Sequence, residues 1–384
     1  MRILIVHNAY QQRGGEDAVV ESETQLLRSR GHDVRAFVRH NNEIEGMGKG
    51  ALAQQTWWSR ESVERIDQSM SGWHPDIVHV HNTFPLISPS IYWAVARKGI
   101  PVVQTLHNFR LICPQAMFLL EGRICEDCVG HSTWRSVTRG CYRKSKLQSA
   151  VLTGMLSLHR SIGTYKNKVT RYIALNDFCR RKFVEGGLPA DKVVIKPNFV
   201  DYAAPQGTER DGFLFVGRLS AEKGTGVLAE AARQVPEVRL RIAGTGPEAH
   251  QLQDVPNANM LGALGGDDVR QQMETATALV LPSIWYENFP RTLVEAYAAG
   301  LPVIGSRLGA LEELIEDGVT GLLFEPGNAD DLASKIRWAH SNATAMAEMG
   351  CRARAHYENN FTATRNYEQL ISIYEEAIAA ARSE

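Results

Sequence analysis

The chain has 384 residues, enough for two domains that each bury a core of their own. Its 42 basic and 43 acidic side chains nearly cancel, which removes any general attraction to nucleic acid, and no apolar run nears the length of a membrane span. The composition, 44% hydrophobic and 22% charged, is that of an ordinary globular protein, and an N-terminus that opens straight into an apolar strand, without the pattern of a signal peptide, sets a cytoplasmic expectation.

In the first half, apolar runs predict strands at 2–6, 34–38, 77–80, 101–106, 172–175 and 193–196, with a helix over 17–30 that Gly31-His32 ends. Gly14-Gly15 falls between the first strand and this helix, where backbone can approach a ligand at a positive helix end, and Asp17 is placed to cap it. His79 and His81 alternate along one strand and so share a face; they could hold a metal together or be hydrogen-bonded in the interior. His107 and Asn176 stand at strand ends. Cys113, Cys125, Cys128 and Cys141 follow the spacing C-x11-C-x2-C-x12-C, which fits a structural zinc or reduced thiols packed in a loop; Cys179 and Cys351 read as core or incidental. From 129 to 176 there is no Asp or Glu, but there are Arg135, Arg139, Arg143, Lys144, Lys146, Arg160, Lys166, Lys168 and Arg171. Leu147, Val151, Met155, Leu158 and Ile162 form a helical stripe there, so the basic stretch 135–171 is either the outer face of a core-facing helix or a surface for an anionic leaflet or a lipid-linked diphosphate.

A polar linker over 200–210, holding Pro205 and Gly207, separates the halves. Strands follow at 212–216 and 238–243 and near Leu279, Val303 and Leu322, with a helix over 227–234. Gly217-Arg218 comes directly after an apolar strand, with Lys223-Gly224 shortly beyond: two cations flanking a strand-to-helix turn, suited to a phosphate, unless Lys223 merely pairs with Glu222. Gly244-Thr245-Gly246-Pro247 ends the next strand as a tight turn or a place of close backbone approach. Glu287 and Glu295 then bracket Phe289, Pro290, Arg291 and Thr292, which open a helix over 293–299 stopped by Gly300 and Pro302. Two carboxylates beside an anion-binding helix end would repel a bare phosphate; a ligand with both negative charge and many hydroxyls, such as a nucleotide sugar, suits them. A last helix over 363–381 shows Tyr367, Leu370, Ile371 and Tyr374 near helical spacing. The fold class is α/β: two doubly wound Rossmann-like domains, 1–200 and 211–362, with 363–384 packing back on the first, and ligands beyond the carboxyl ends of the strands in a cleft between facing loop edges.

These motifs, in this order, resemble retaining glycosyltransferases of family four, with the GT-B fold: the Glu287-x7-Glu295 pair, Gly217-Arg218 with Lys223-Gly224, Gly244-x-Gly246-Pro247, the Gly14-Gly15 pair, and 196–201 as a P-N-G-V-D-like hinge with Phe199 in place of glycine. Pro290 also stands where the family usually has glycine, removing a backbone donor. The resemblance implies transfer of a sugar from a nucleoside-diphosphate sugar to an acceptor hydroxyl, with no cofactor required. Arg218 and Lys223 would neutralise the leaving diphosphate, Glu295 would hold the ribose, and Glu287 and His107 the donor sugar. Gly217, Gly244, Gly246, Phe289, Pro290, Arg291 and Thr292 complete the donor site, and Gly14, Gly15, His81 and Asn176 the acceptor side. No D-x-D occurs, so side-chain cations and helix ends take the role of a divalent metal. A glycan or lipid-linked acceptor in surface polysaccharide or glycolipid assembly is expected, with inner-leaflet association through 135–171 and no nucleic acid. A GT-B phosphorylase or epimerase, or a non-catalytic nucleotide-sugar binder, is the alternative.

Overall fold

The computed structural model describes residues 1–203 and 209–383; Pro205, Gly207 and Glu384 lie outside the described residues. It divides into two compact units: 1–117 with 126–197 and 366–384, and 118–125 with 198–365. The segment 118–125 therefore groups with the second unit although it sits inside the predicted first domain. It carries a short hairpin that the sequence did not signal.

In chain order the strands are β1 (Arg2–Ala9), β2 (Asp33–His40), β3 (Ile77–Val80), β4 (Val102–Thr105), the hairpin strands β5 (Leu119–Leu120) and β6 (Arg123–Ile124), β7 (Arg171–Ala174) and β8 (Val193–Ile195). The first unit's sheet is parallel, in the order β2-β1-β3-β4-β7-β8. Ile3, Leu4, Ile5 and Val6 are all fully buried, as a strand covered on both faces must be. Ile3 and Ile5 pack with Val20 and Leu27 of the helix Gly15–Ser29 and with Leu370, Tyr374 and Ala377 of the C-terminal helix Ala363–Ser383. Burying each such side chain contributes about 1.5–3 kcal/mol. The first helix ends where Gly31 turns to φ +83°. In the helix Lys146–Ser161 the buried face includes Ser149, Leu152, Met155, Leu156 and His159, while Leu147 is 69% exposed and Ile162 is exposed too, so of the predicted stripe only Met155 is buried. Period alone could not say which of two overlapping apolar faces meets the core.

The second unit adds β9 (Phe213–Val216), β10 (Leu240–Ala243), β11 (Ala258–Gly262), β12 (Ala278–Leu281), β13 (Val303–Ser306) and β14 (Gly321–Phe324), parallel in the order β11-β10-β9-β12-β13-β14. Strand alternation builds two cores from one sheet: Phe213, Phe215, Ile242 and Val280 enter one, Leu214, Leu279, Leu281 and Val303 the other. The edge strand β11 is half-exposed and lacks the apolar run by which its neighbours were predicted. The carboxyl ends of β10, β9 and β12, three neighbours in the sheet, lead into all the motifs read from this half.

Candidate active site

The loop after β9 and the loop after β10 are zipped together by backbone. Gly217 N–H donates to Ala243 C=O at 3.0 Å, Leu219 N–H to Thr245 C=O at 2.9 Å, and Glu248 N–H to Leu219 C=O at 3.0 Å. A Cβ at Gly244 would lie 1.8 Å from the Gly217 carbonyl oxygen, and one at Gly246 would lie 2.2 Å from that of Leu219. The glycines are thus required for this close approach whatever binds above them. Arg218 is exposed on the rim of the zipped pair.

Lys223 does not pair with its neighbour Glu222, which takes the Ser220 hydroxyl at 2.6 Å. Instead Lys223 Nζ reaches Glu287 Oε1 at 2.7 Å, across adjacent strands. The same carboxylate oxygen accepts from Ser283 Oγ at 2.6 Å and Trp285 Nε1 at 2.9 Å. Burial works to raise the Glu287 carboxyl, but Lys223, with the Ser283 and Trp285 donors, outweighs it and holds it below the usual range. The helix predicted over 293–299 spans Arg291–Ala298 with Pro290 as its N-cap, so the proline falls where a missing N–H disrupts nothing inside the helix. Arg291 Nε donates to Glu295 Oε1 at 2.9 Å, one turn along. Burial pushes the Glu295 carboxyl up, against the pull of Arg291 and the Tyr202 hydroxyl. Phe289 packs edge-on against Phe361, and Thr292 is half-buried on the first helical turn. Ser283, Trp285 and Tyr202 escaped the sequence reading, although the first two stand four and two residues before Glu287 within its own loop.

The first unit's strand ends gather histidines. His81 Nδ1 and His107 Nε2 share a hydrogen bond of 2.8 Å, with the rings stacked 5.1 Å apart. His79 is bonded at both nitrogens, Nδ1 to the Tyr374 hydroxyl at 2.7 Å and Nε2 to that of Thr105 at 2.8 Å. His7 Nε2 meets Asp17 Oδ1 at 2.8 Å. Lys196 Nζ and Glu23 Oε1 form an ion pair at 2.5 Å with both side chains essentially inaccessible. Burial lowers the histidines: His79 falls to about 4, and His81 and His107 lie well below the ordinary value. Asp17 is the third residue of its helix and accepts the Gly14 N–H at 2.7 Å, while Gly15 is exposed at the helix start. Asn176 caps the helix Asp177–Glu185 through the Cys179 N–H at 2.8 Å, a structural duty beside any ligand role.

Glu23, His79 and His81 are the metal-ligating side chains that converge among the described residues, and no cysteine joins them. Of the two readings of Cys113, Cys125, Cys128 and Cys141, a structural zinc gains no support, since no cysteine joins a converging ligand group among the described residues; Cys113 is buried and the other three are half-buried. The Glu23 group is itself a poor cation site, since hydroxyls occupy both His79 nitrogens and Lys196 already neutralises Glu23. The basic stretch is partly consumed by the fold. Arg139 pairs with Asp127 at 2.6 Å, Arg160 donates to the Leu111 carbonyl, and Lys168 lies over the Trp93 ring. Arg143, Lys144 and Lys146 are exposed. In the same unit a cavity of about 390 Å³ is walled by Ile44, Leu52, Leu147, Val151 and Phe84, with Arg110 and Arg143 also lining it. Arg110 stacks over the rings of Phe84 and Tyr142. Among the described residues no helix is long and apolar enough to cross a membrane.

Residues 13–204 match the family described as Glycosyltransferase Family 4, and residues 203–356 match Glycosyl transferases group 1. The chain is 41% identical over 145 residues to the GDP-mannose-dependent alpha-mannosyltransferase of Corynebacterium glutamicum, covering 36% of this chain and 35% of that protein. It is 25% identical over 353 residues to the D-inositol 3-phosphate glycosyltransferase of Mycobacterium marinum, covering 87% and 71%. The chain spans 35%, 30% and 33% of the length of the first curated relatives it matches. Anabaena Alr3699/HepE, solved in complex with UDP, matches with a TM-score of 0.71 at 18% identity over 98% of this chain and 100% of that one. With half its length matched to the first family, and with two parallel-sheet units that match this structure nearly end to end, the chain belongs to glycosyltransferase family 4 and has the GT-B fold.

Proposed function

We propose that the protein transfers a sugar from a nucleoside-diphosphate sugar to an acceptor hydroxyl, with retention of anomeric configuration and without a divalent metal, in surface polysaccharide or glycolipid assembly. The observation that carries this reading is the Lys223–Glu287 pair beside the exposed Arg218: cations for a diphosphate and a carboxylate for sugar hydroxyls, set on neighbouring loops at the carboxyl ends of β9 and β12. The family match and the names of relatives, several of them sugar transferases, agree with it.

Arg218 grips the diphosphate and Lys223 adds charge as the anomeric carbon–phosphate oxygen bond breaks. Glu295 receives the ribose hydroxyls and Glu287 those of the donor sugar, with His107 as a further polar contact to that sugar. The acceptor oxygen bonds to the anomeric carbon on the side the diphosphate leaves, and its proton passes to the departing phosphate oxygen. The acceptor lies in the first unit's cavity, whose apolar walls and two arginines suit a lipid tail carrying a phosphate or diphosphate. The exposed Arg143, Lys144 and Lys146 would rest on an anionic membrane face.

Thermal-shift measurement with UDP, GDP, ADP and their common sugar conjugates tests the donor site. One nucleotide should stabilise the wild type, and Arg218→Ala and Glu295→Ala much less. No stabilisation by any of them would sink the donor assignment.

A further inference from the structure

The shared bond between His81 Nδ1 and His107 Nε2 leaves open which ring carries its proton. The surroundings of the other His81 nitrogen decide it. His81 Nε2 is buried, has no hydrogen-bond partner among the described residues, and faces Glu23 Oε2 at 3.7 Å. Glu23 Oε2 is likewise buried without a hydrogen-bond partner, while Oε1 is fixed on Lys196. No neighbouring ring offers His81 Nε2 a donor. Asp17 takes the proton-bearing edge of His7, and both nitrogens of His79 are engaged by hydroxyls. Lys196 directs its ammonium to Glu23 and the Pro197 carbonyl. A lone pair on His81 Nε2 would therefore point at a carboxylate with nothing to compensate it, whereas an N–H there is attracted.

The proton on Nε2 makes His81 Nδ1 the acceptor, so His107 Nε2–H is the donor and His107 Nδ1 is left with a lone pair. We infer that Glu23, held by Lys196, sets the tautomer of His107 through His81, so that His107 offers a hydrogen-bond acceptor at Nδ1. That nitrogen makes no hydrogen bond among the described residues, and its half-buried ring lines a small cavity with Thr83, Asn108 and Arg110. An acceptor there takes a hydroxyl and rejects a carbonyl or phosphate oxygen. The tautomer rests on geometry alone; that the hydroxyl belongs to the donor sugar rests on the proposed function. Glu23, Lys196 and His81 are positioning residues, acting on the sugar only through His107.

The test is long-range ¹⁵N–¹H correlation NMR on the full chain with labelled histidine, His107 being assigned by loss of its signals in His107→Gln. His107 should carry its proton on Nε2 in the wild type; a proton on Nδ1 overturns the inference. In Glu23→Gln, Lys196 still needs an acceptor, so the amide oxygen faces it and the amide N–H faces His81 Nε2. The relay then reverses and His107 becomes the Nδ1–H tautomer, whereas a folded Glu23→Gln protein with the original tautomer counts against it. If that variant does not fold, the wild-type spectrum decides alone. With UDP-glucose or GDP-mannose as donor, Glu23→Gln should lower kcat about tenfold, as expected when one hydrogen bond to the reacting sugar becomes donor against donor. If neither sugar nucleotide turns over with the wild type, the proposed function loses support, and the spectrum still settles the tautomer.

Discussion

The two units have sheets of the same plan, six parallel strands each, but treat polar groups at the strand ends in opposite ways. The first unit buries a charge pair, Lys196–Glu23, and beside it keeps a nest of histidines that burial holds neutral. The second leaves Arg218 exposed, pairs Lys223 with Glu287 on a loop and Arg291 with Glu295 one turn along a helix, with both cations partly exposed. A sealed pair orients its neighbours, while a pair at the surface can exchange partners with an incoming anion. On the proposed roles, the same residue chemistry serves positioning in one unit and binding in the other, and burial separates the two.

Removing one cation from each unit should sharpen that contrast. Lys196→Met leaves Glu23 as an uncompensated buried charge and should cost about 3–5 kcal/mol of unfolding free energy, read by urea denaturation. A cost below about 1 kcal/mol, within the range of surface pairs, would mean that the first unit's pair is not sealed after all. Arg218→Ala should do the reverse. Stability should hold within about 0.5 kcal/mol, as for surface substitutions. The kcat/KM for the sugar nucleotide should fall roughly ten- to a hundredfold, the equivalent of one lost charge-assisted bond of about 1.5–3 kcal/mol.

How much of this contrast could be read beforehand depended on the residue. Apolar strand runs and glycine stops gave both sheets except the half-exposed edge strand β11, because strands covered on both faces are continuous apolar runs and an edge strand need not be. The second unit's motifs were legible because their spacing is local: Lys223 and Glu287 each lie within a few residues of a strand end. The histidine relay was not, since it joins residues 23, 81, 107 and 196, and only the fold makes them neighbours. Its signals were present but unweighed. Glu23 occupies the apolar face of a helix with Val19, Val20 and Leu27, and Lys196 closes an apolar strand. A charge on a core face asks for a partner, which sequence alone does not name. Which face of the helix Lys146–Ser161 meets the core stayed open for a related reason, since small and polar residues share its buried face with Leu152, Met155 and Leu156 while Leu147 faces outward.

The contrast also has a pH signature. His7, His79, His81, His107 and His159 of the first unit, against His356 of the second, have folded values below the unfolded one near 6.5, with burial as the leading cause. Between that value and about 4, where His79 titrates, the unfolded chain binds more protons than the folded one, so stability falls as pH drops. Tm should decline by several degrees from pH 7 to pH 5, above the range where ordinary carboxylates titrate. A flat Tm over that interval would mean that the nest admits charge. Glu16 works in the opposite sense. Burial raises its carboxyl to about 7 against Tyr10, Arg110 and Asn108, and Oε1 is without a partner among the described residues. Its cost is absent below the unfolded value of 4.5 and complete above about 7. Glu16→Gln should therefore raise Tm by a few degrees at pH 8 and leave it unchanged at pH 4.

The smallest expected effect on stability bears on what the first unit does besides hold histidines. Leu147 is 69% exposed and lines the cavity with Val151 and Arg143. A side chain already in water has little burial to lose, so Leu147→Ser should change unfolding free energy by less than about 0.5 kcal/mol. If an apolar tail lies in that cavity, the substitution should nevertheless raise KM for a lipid-linked acceptor several-fold, as expected for the loss of a few buried methylene contacts at about 0.8 kcal/mol each. It should leave KM for the sugar nucleotide alone. A short water-soluble acceptor lacking the tail separates the possibilities. Equal loss with both acceptors would place Leu147 at the reacting sugar, and no loss with either would leave the cavity without an apolar occupant. Loss confined to the lipid-linked acceptor would give the first unit's outward apolar stripe a ligand, complementing the charged edge of the second.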